Sequence, residues 1–257
     1  MESKGFMADK IVKRDGIRRS VDFDVAVIGG GVAGFTAAVA AARMGAKTAL
    51  VEDMGALGGI MTTGGNPEIG IFYAYYKQAI AGIGWELCRR LEKEGFADIP
   101  DFSKVDTREG CSQSNVKVNS AMAEVEMNNM CLEAGVKLFL HTKVIDANVE
   151  NNRVISVLAA EKRGIIEIKA NVFIDCTGDG DVAYLCGAEQ LEPDVMQPGT
   201  FGYNFACRDD VSKFDEKELR KDFEHDKTVG LIKHGDFWGE YHSTIKGFFS
   251  SGGRNCN

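Results

Sequence analysis

Proline is scarce in this sequence, with 4 in 257 residues, so chain reversals fall largely to glycine, present 30 times against a usual usage of about 7%. Paired cysteines are also lacking. Cys88, Cys111, Cys131, Cys176, Cys186, Cys207 and Cys256 are scattered, odd in number, and form no CxxC pair with a histidine at metal-ligand spacing. They read as reduced thiols acting as small buried hydrophobes, which excludes a disulfide framework and predicts no metal or iron–sulfur site within the chain. Basic charge is in deficit as well: 30 Lys and Arg face 38 Asp and Glu, a net charge of −8, a poor match to a polyanion. Nucleic acid is therefore not expected as a partner. The uncharged run 25–42 follows a basic leader, but it is rich in Gly and Ala and is flanked by Asp22 and Asp24. It argues against a membrane anchor or signal peptide, and the chain reads as cytoplasmic. With 44% hydrophobic and 26% charged residues, the composition is that of a globular chain with a sizeable core.

The order of elements predicts an α/β protein. Residues 1–22 are polar with no apolar period and read as a leader. Residues 23–28 form a β-branched run ending at Gly29-Gly30-Gly31, followed by an Ala-rich helix closed by Gly45 and a second buried strand at 47–52. Such a βαβ unit pairs its strands in parallel through a right-handed crossover. About 54–115 is a Gly- and aromatic-rich excursion, including Phe72, Tyr73, Tyr75 and Tyr76, with one helix expected over 85–93. A helix is expected over 116–134 with Val118, Met122 and Val125 on its buried face. Strands follow at 136–140, 144–149, 154–161 and 165–170, the last three as an antiparallel meander, and then a separate buried strand at 172–175. Residues 23–190 thus read as one nucleotide-binding domain. Residues 191–257 read as the beginning of a substrate domain, with a strand at 200–207 and a charged solvated helix in 208–227 that starts near Asp215.

The chemistry concentrates at residues 29–34, Gly-Gly-Gly-Val-Ala-Gly, which fits GxGxxG. Gly29 permits the tight turn, Gly31 lets the backbone approach a pyrophosphate, and Gly34 lets helix and strand pack closely. The anion sits on the helix N-terminus, where unpaired N–H groups and the helix dipole favour negative charge. Glu52, ending the second strand near the expected spacing of about 20 residues, is suited to accept hydrogen bonds from the ribose hydroxyls and to repel a 2′-phosphate. The motif by itself leaves NAD and FAD both open.

Four blocks carry a resemblance: DFDVAVIGGGVAGFTAAVAAARMGAKTALVE at 22–52, MGALGGIMTTGG at 54–65, GIGWELCRRLEKEG at 82–95 and FIDCTGDGDVAYLCGAE at 173–189. Together they resemble the FAD-dependent oxidoreductase family of the glutathione-reductase-like flavoprotein superfamily. The resemblance implies a Rossmann-type FAD-binding domain with a parallel sheet and an antiparallel β-meander, plus the beginning of a substrate domain. It implies FAD as the tightly held cofactor and hydride transfer between a small-molecule substrate and flavin N5. The cofactor set it implies is Gly29, Gly31, Val32, Ala33 and Gly34 at the pyrophosphate turn and Glu52 with Asp53 at the ribose. Gly58, Gly59, Thr62 and Thr63 run toward the flavin, Val144 lies at the adenine, and Thr177, Gly178, Asp179 and Asp181 form a turn near the cofactor.

Members of that family continue well past residue 257, so this chain reads as an N-terminal part. The flavin side of the site and the substrate pocket would then be completed by residues beyond position 257. No catalytic acid or base is assigned: His141, His225, His234, Tyr241, His242 and Arg254 each read as surface or packing residues. Three other readings stand beside the first. One is a thiazole-synthase-like biosynthetic enzyme of the same fold, which a mid-chain cysteine nucleophile or iron site would favour. Another is a truncated nucleotide-binding module without catalysis. The third is an electron-transfer subunit with an iron–sulfur redox partner protein. Substrate identity, electron acceptor and oligomeric state are not encoded in any motif.

Overall fold

The computed structural model describes residues 9–11, 16–70, 72–105 and 115–191, the backbone of strands 200–206, 242–245 and 248–254, and isolated residues 221, 225, 228 and 229. In chain order its first elements are β1 (Ile17–Ile28), α1 (Val32–Arg43), β2 (Thr48–Val51), β3 (Glu68–Ile69), β4 (Tyr73–Ala74) and β5 (Lys77–Gln78). Then come α2 (Ile83–Lys93), β6 (Ala97–Asp98), β7 (Val116–Val118), α3 (Ser120–Ala134) and β8 (Lys137–Phe139). The remainder are β9 (Lys143–Glu150), β10 (Arg153–Glu161), β11 (Gly164–Asp175), α4 (Asp181–Leu185), β12 (Thr200–Ala206), β13 (His242–Ile245) and β14 (Phe248–Arg254).

The chain divides into two compact units. The first comprises residues 1–63, 81–87 and 123–192, and the second 64–80, 88–122 and 193–257. The first holds a 6-stranded sheet in the order β8-β2-β1-β11-β10-β9. β8, β2, β1 and β11 run parallel, while β10 and β9 continue the sheet antiparallel, giving the mixed Rossmann-type architecture. β1 and β2 align Val25 with Thr48 and Ile28 with Val51 across the α1 crossover. The core of this unit is apolar and closely filled, with Ala26, Ala49, Ala147, Val149, Val157, Ile166 and Ile168 fully buried. The second unit holds two small sheets, β12-β14-β13 and β3-β7-β6, and the β4–β5 hairpin. Its Tyr73 ring stacks on Phe102 with centroids 4.0 Å apart, Phe72 is buried, and Tyr75 and Tyr76 are exposed at the hairpin turn.

Several boundaries differ from the sequence reading, and each difference has a local cause. β1 begins at Ile17 rather than Phe23, because Ile17–Asp22 pair with Ile165–Lys169 of β11, a long-range pairing that no period within residues 17–22 reveals. The meander's last strand and the expected separate strand at 172–175 are one strand, β11, antiparallel to β10 on one side and parallel to β1 on the other. The helix expected from Val116 starts at Ser120: Val116–Val118 form β7, and the Asn119 side chain caps the helix by accepting the Met122 N–H at 3.1 Å. Its buried stripe is Ala123, Met127, Met130 and Cys131, while Val125 is exposed. At the far end Gly135, with φ of +82°, donates to Leu132, and Val136 donates to Cys131, a Schellman closure that agrees with the glycine stop read from the sequence. The segment 208–227 lies almost entirely outside the described residues, as do Cys111, Cys207, Cys256, His234 and Tyr241. Among the described residues no helix is long and apolar enough to cross a membrane, which says nothing of a β-barrel.

Candidate cofactor site

Everything in the site follows from where the parallel strands end. β1 lies between β2 and β11, so the turn leaving β1 at Gly29 has the end of β2 on one side and the end of β11 on the other. Open α/β sheets bind their ligands in such a crevice outside the strands' carboxyl ends.

The turn itself is built by glycine. Gly29 has φ of +95°, and a Cβ there would lie 2.3 Å from the Cys176 carbonyl oxygen. At Gly34 a Cβ would lie 1.8 Å from the Gly29 oxygen, so helix and strand pack more closely than any side chain allows. Gly31 is different: a Cβ there would meet nothing within 4 Å, and its φ of −60° is open to any residue. The space over Gly31 is thus open, at the N-cap of α1. That cap has no side-chain hydrogen bond, and no acidic residue stands in the first turn of the helix. The first N–H groups of a helix have no partner within it, and Val32 and Ala33 are exposed there.

On the β2 side, Glu52 is nearly buried and follows the last strand residue. Its backbone is clamped, accepting from Thr142 N–H and donating to the Phe139 carbonyl. One carboxylate oxygen accepts the Gly30 N–H at 2.5 Å and the other accepts the Met54 N–H at 2.7 Å, so the side chain is aimed at the glycine turn. Two charge-assisted bonds orient it and leave further acceptor capacity. The neighbouring Asp53 carboxylate accepts from Lys143 Nζ at 2.8 Å, and the same bond holds the Lys143 ammonium above its ordinary pKa. Both side chains are exposed, so the pair is worth roughly 0–1 kcal/mol.

The Gly58–Gly59 segment sits against the glycine turn. Gly58 N–H donates to the Gly30 carbonyl at 2.8 Å, and a Cβ on Gly59 would stand 3.2 Å from Gly31 Cα. Only backbone this bare allows two turns to touch. Thr62 and Thr63 donate their hydroxyls to the Leu57 and Gly59 carbonyls at 2.6 and 3.0 Å, closing the short 3-10 turn Gly59–Met61. Their expected place beside a cofactor therefore rests on backbone rather than on hydroxyl donors. Val144 is half-buried in β9, paired with Ala159. The neighbouring His141, which sequence reasoning left aside, takes φ of +51°, and its ring packs where a Cβ of Gly55 would stand.

On the β11 side, Thr177, Gly178, Asp179 and Asp181 form the turn leading into α4, with Gly178 and Gly180 at φ of +92° and +75°. Asp175, which sequence reasoning did not single out, holds this turn through three hydrogen bonds. Burial pushes the Cys88 and Cys131 thiols up to about 12, and burial followed by the Asp175 charge raises Cys176. Among the described residues no group of three or more His, Cys, Asp or Glu is placed to hold a metal ion.

This geometry defines a dinucleotide-binding protein of Rossmann type. The chain belongs to the FAD dependent oxidoreductase family, which it matches over residues 24–230, and its cofactor is FAD. Over 139 residues, 53% of this chain, it is 33% identical to the tRNA uridine 5-carboxymethylaminomethyl modification enzyme MnmG of Aquifex aeolicus. That match spans only 22% of the relative's length. Among solved structures, a flavoprotein/dehydrogenase from Cytophaga hutchinsonii superposes over 90% of this chain and 55% of its own, with a TM-score of 0.58 and 17% identity. L-proline dehydrogenase from P. horikoshii covers 90% of this chain and 69% of its own at a TM-score of 0.54 and 17% identity. At such identities these two likenesses speak to the fold.

The residues present fit FAD. A dianionic pyrophosphate suits the uncapped N-terminus of α1 with the open space over Gly31, and a ribose suits the oriented Glu52 carboxylate.

Proposed function

We propose that this chain forms the adenosine- and pyrophosphate-holding part of an FAD-dependent oxidoreductase that moves a hydride between a small-molecule substrate and the flavin. The observation that carries the reading is the glycine turn open at Gly31, set at an uncapped helix N-terminus and joined to the Glu52 carboxylate at 2.5 Å. FAD, when bound, supplies a two-electron acceptor at flavin N5. The chain's own residues bind and orient it. Gly31, Val32 and Ala33 offer backbone N–H groups to the pyrophosphate, Gly29 and Gly34 shape the turn that presents them, the Gly29 N–H itself being donated to the Val51 carbonyl at 2.7 Å, and Glu52 takes the ribose hydroxyls. The bare backbone of Gly58 and Gly59 gives close approach, and the segment at Val144 borders the adenine. The turn at Thr177, Gly178, Asp179 and Asp181 closes the β11 side of the crevice.

Two considerations narrow the substrate class. The MnmG relative is named for work on tRNA, whereas a net charge of −8 disfavours a polyanion here and supports a small molecule, with a redox partner protein as the other candidate for electron exchange. A mid-chain cysteine nucleophile or iron site would favour a thiazole-synthase-like role, whereas the LGGIMTTGG block at 57–65 and the GIGWELCRRLEKEG block at 82–95 favour the oxidoreductase reading. The odd number and scatter of the cysteines in the sequence favour a cytoplasmic location. The test is the visible absorption spectrum of the purified chain together with the identity of any molecule released by heat. A yellow protein releasing FAD is expected. A colourless protein that stays colourless with added FAD and binds only ADP-like ligands overturns the reading.

A further inference from the structure

We propose that Asp175 and Thr177 are positioning residues that preform the turn 177–183 for FAD, an inference resting on the proposed cofactor crevice. Asp175 is the last residue of β11, and its exposed carboxylate is fully engaged. Oδ1 accepts the Thr177 N–H at 3.1 Å and the Thr177 hydroxyl at 2.7 Å, while Oδ2 accepts the Ala183 N–H at 3.0 Å. The Thr177 oxygen in turn accepts the Asp181 N–H at 2.8 Å. One carboxylate thus ties the start of the turn to its end, with a threonine hydroxyl as the crosspiece.

Three features separate this network from ordinary helix capping. Gly180, at the N-cap of α4, offers no side-chain cap, so the capping work falls to residues further back in the chain. The turn lies directly on the glycine turn: Cys176 N–H donates to the Ile28 carbonyl at 2.7 Å, and a Cβ on Gly29 would be 2.8 Å from Thr177 N. Any shift of 177–183 is therefore felt at the pyrophosphate turn. Finally, the N–H groups of Gly178, Asp179 and Gly180 make no hydrogen bond among the described residues, while those of Thr177, Asp181, Ala183 and Tyr184 are all used. Successive unpaired amides in a turn with glycines at positive φ make a concavity suited to ligand oxygens. Holding an exposed turn in one shape costs conformational entropy, which the Asp175 network offsets before the cofactor arrives. The Thr177 hydroxyl, spent within the turn, acts through the turn's shape rather than by touching FAD.

The experiment compares the 257-residue chain with Asp175→Ala, Thr177→Val and Thr177→Ser, reading the FAD release rate, the thermal midpoint of the apoprotein and amide hydrogen exchange at Asp181 and Ala183. Asp175→Ala and Thr177→Val are expected to release FAD about tenfold faster, with exchange accelerated at those amides and the apoprotein midpoint moved by no more than about 3 °C. Thr177→Ser, which restores the hydroxyl, is expected to recover most of the loss. Release at the wild-type rate from both Asp175→Ala and Thr177→Val overturns the proposal. So does acceleration that merely follows a fallen apoprotein midpoint and that Thr177→Ser does not recover. A wild-type chain that binds no FAD instead overturns the cofactor reading, and the proposal with it, before any variant is compared.

Discussion

An added methyl group at Gly29 would lie 2.3 Å from the Cys176 carbonyl oxygen, whereas one at Gly31 would meet nothing within 4 Å. Two glycines of one motif are thus held by different constraints, and alanine substitution separates them. Gly29→Ala forces a side chain onto φ of +95° and into backbone that has no room to yield, so the apoprotein midpoint is expected to fall by about 10 °C or more. Gly31→Ala leaves the apoprotein within about 3 °C of wild type and raises the FAD dissociation constant about tenfold or more, because its methyl takes the space a pyrophosphate needs. Thermal melts and FAD titrations of both variants check this, and equal effects of the two substitutions on either quantity would sink it. The glycine spacing and Glu52 were legible in the sequence because motif and strand order both lie within one βαβ unit. The roles of Asp53 and Asp175 were not. Asp53 meets Lys143, 90 residues away, only because the two segments come together there, and Asp175 meets Ala183 through the shape of the turn between β11 and α4; neither residue type announces its partner.

At the scale of elements, β1 carries the clearest consequence of long-range pairing. Its first half holds Ser20, whose hydroxyl donates to Glu167 at 2.9 Å, and Arg19, which pairs with Glu161 at 2.9 Å. A chain beginning at residue 23 strips this half away and leaves the first part of β11 as an unpaired edge. Its midpoint is expected about 5 °C or more below that of a chain beginning at residue 16, with aggregation on heating, as circular dichroism melts would record. Matching midpoints for the two truncations would mean that residues 17–22 are a leader after all. Helix positions were read more reliably than strand limits. α2 extends the expected 85–93 by one half-turn to Ile83, and α3 ends at the expected glycine, because helix stops are written in local residues. The split of 116–134 into β7 and α3 was hidden because Val118 stands at helical spacing from Met122 and Val125, which extends the apparent helix back into β7.

For the molecule as a whole, a ligand that binds only the folded state stabilises it by mass action, about 2.7 kcal/mol at a hundred times its dissociation constant. FAD at such a concentration is expected to raise the thermal midpoint by about 5–10 °C, and ADP at the same concentration by less, since it lacks the flavin half. A calorimetric or fluorescence melt with each ligand decides it, and an unmoved midpoint with FAD would count against the cofactor site proposed for this chain. The α/β class, the order of strand, glycine turn, helix and strand, and the resemblance to FAD-dependent oxidoreductases were determined by the sequence alone, because each rests on residues close together in the chain. The tertiary structure decided where β1 begins, that β11 is one strand serving two neighbours, and how Asp175 and Glu52 brace the two sides of the glycine turn. The strand limits depend on which distant backbone segments lie side by side, through hydrogen bonds made by backbone groups that every sequence shares, and the two carboxylates act through the shape of the turns they close.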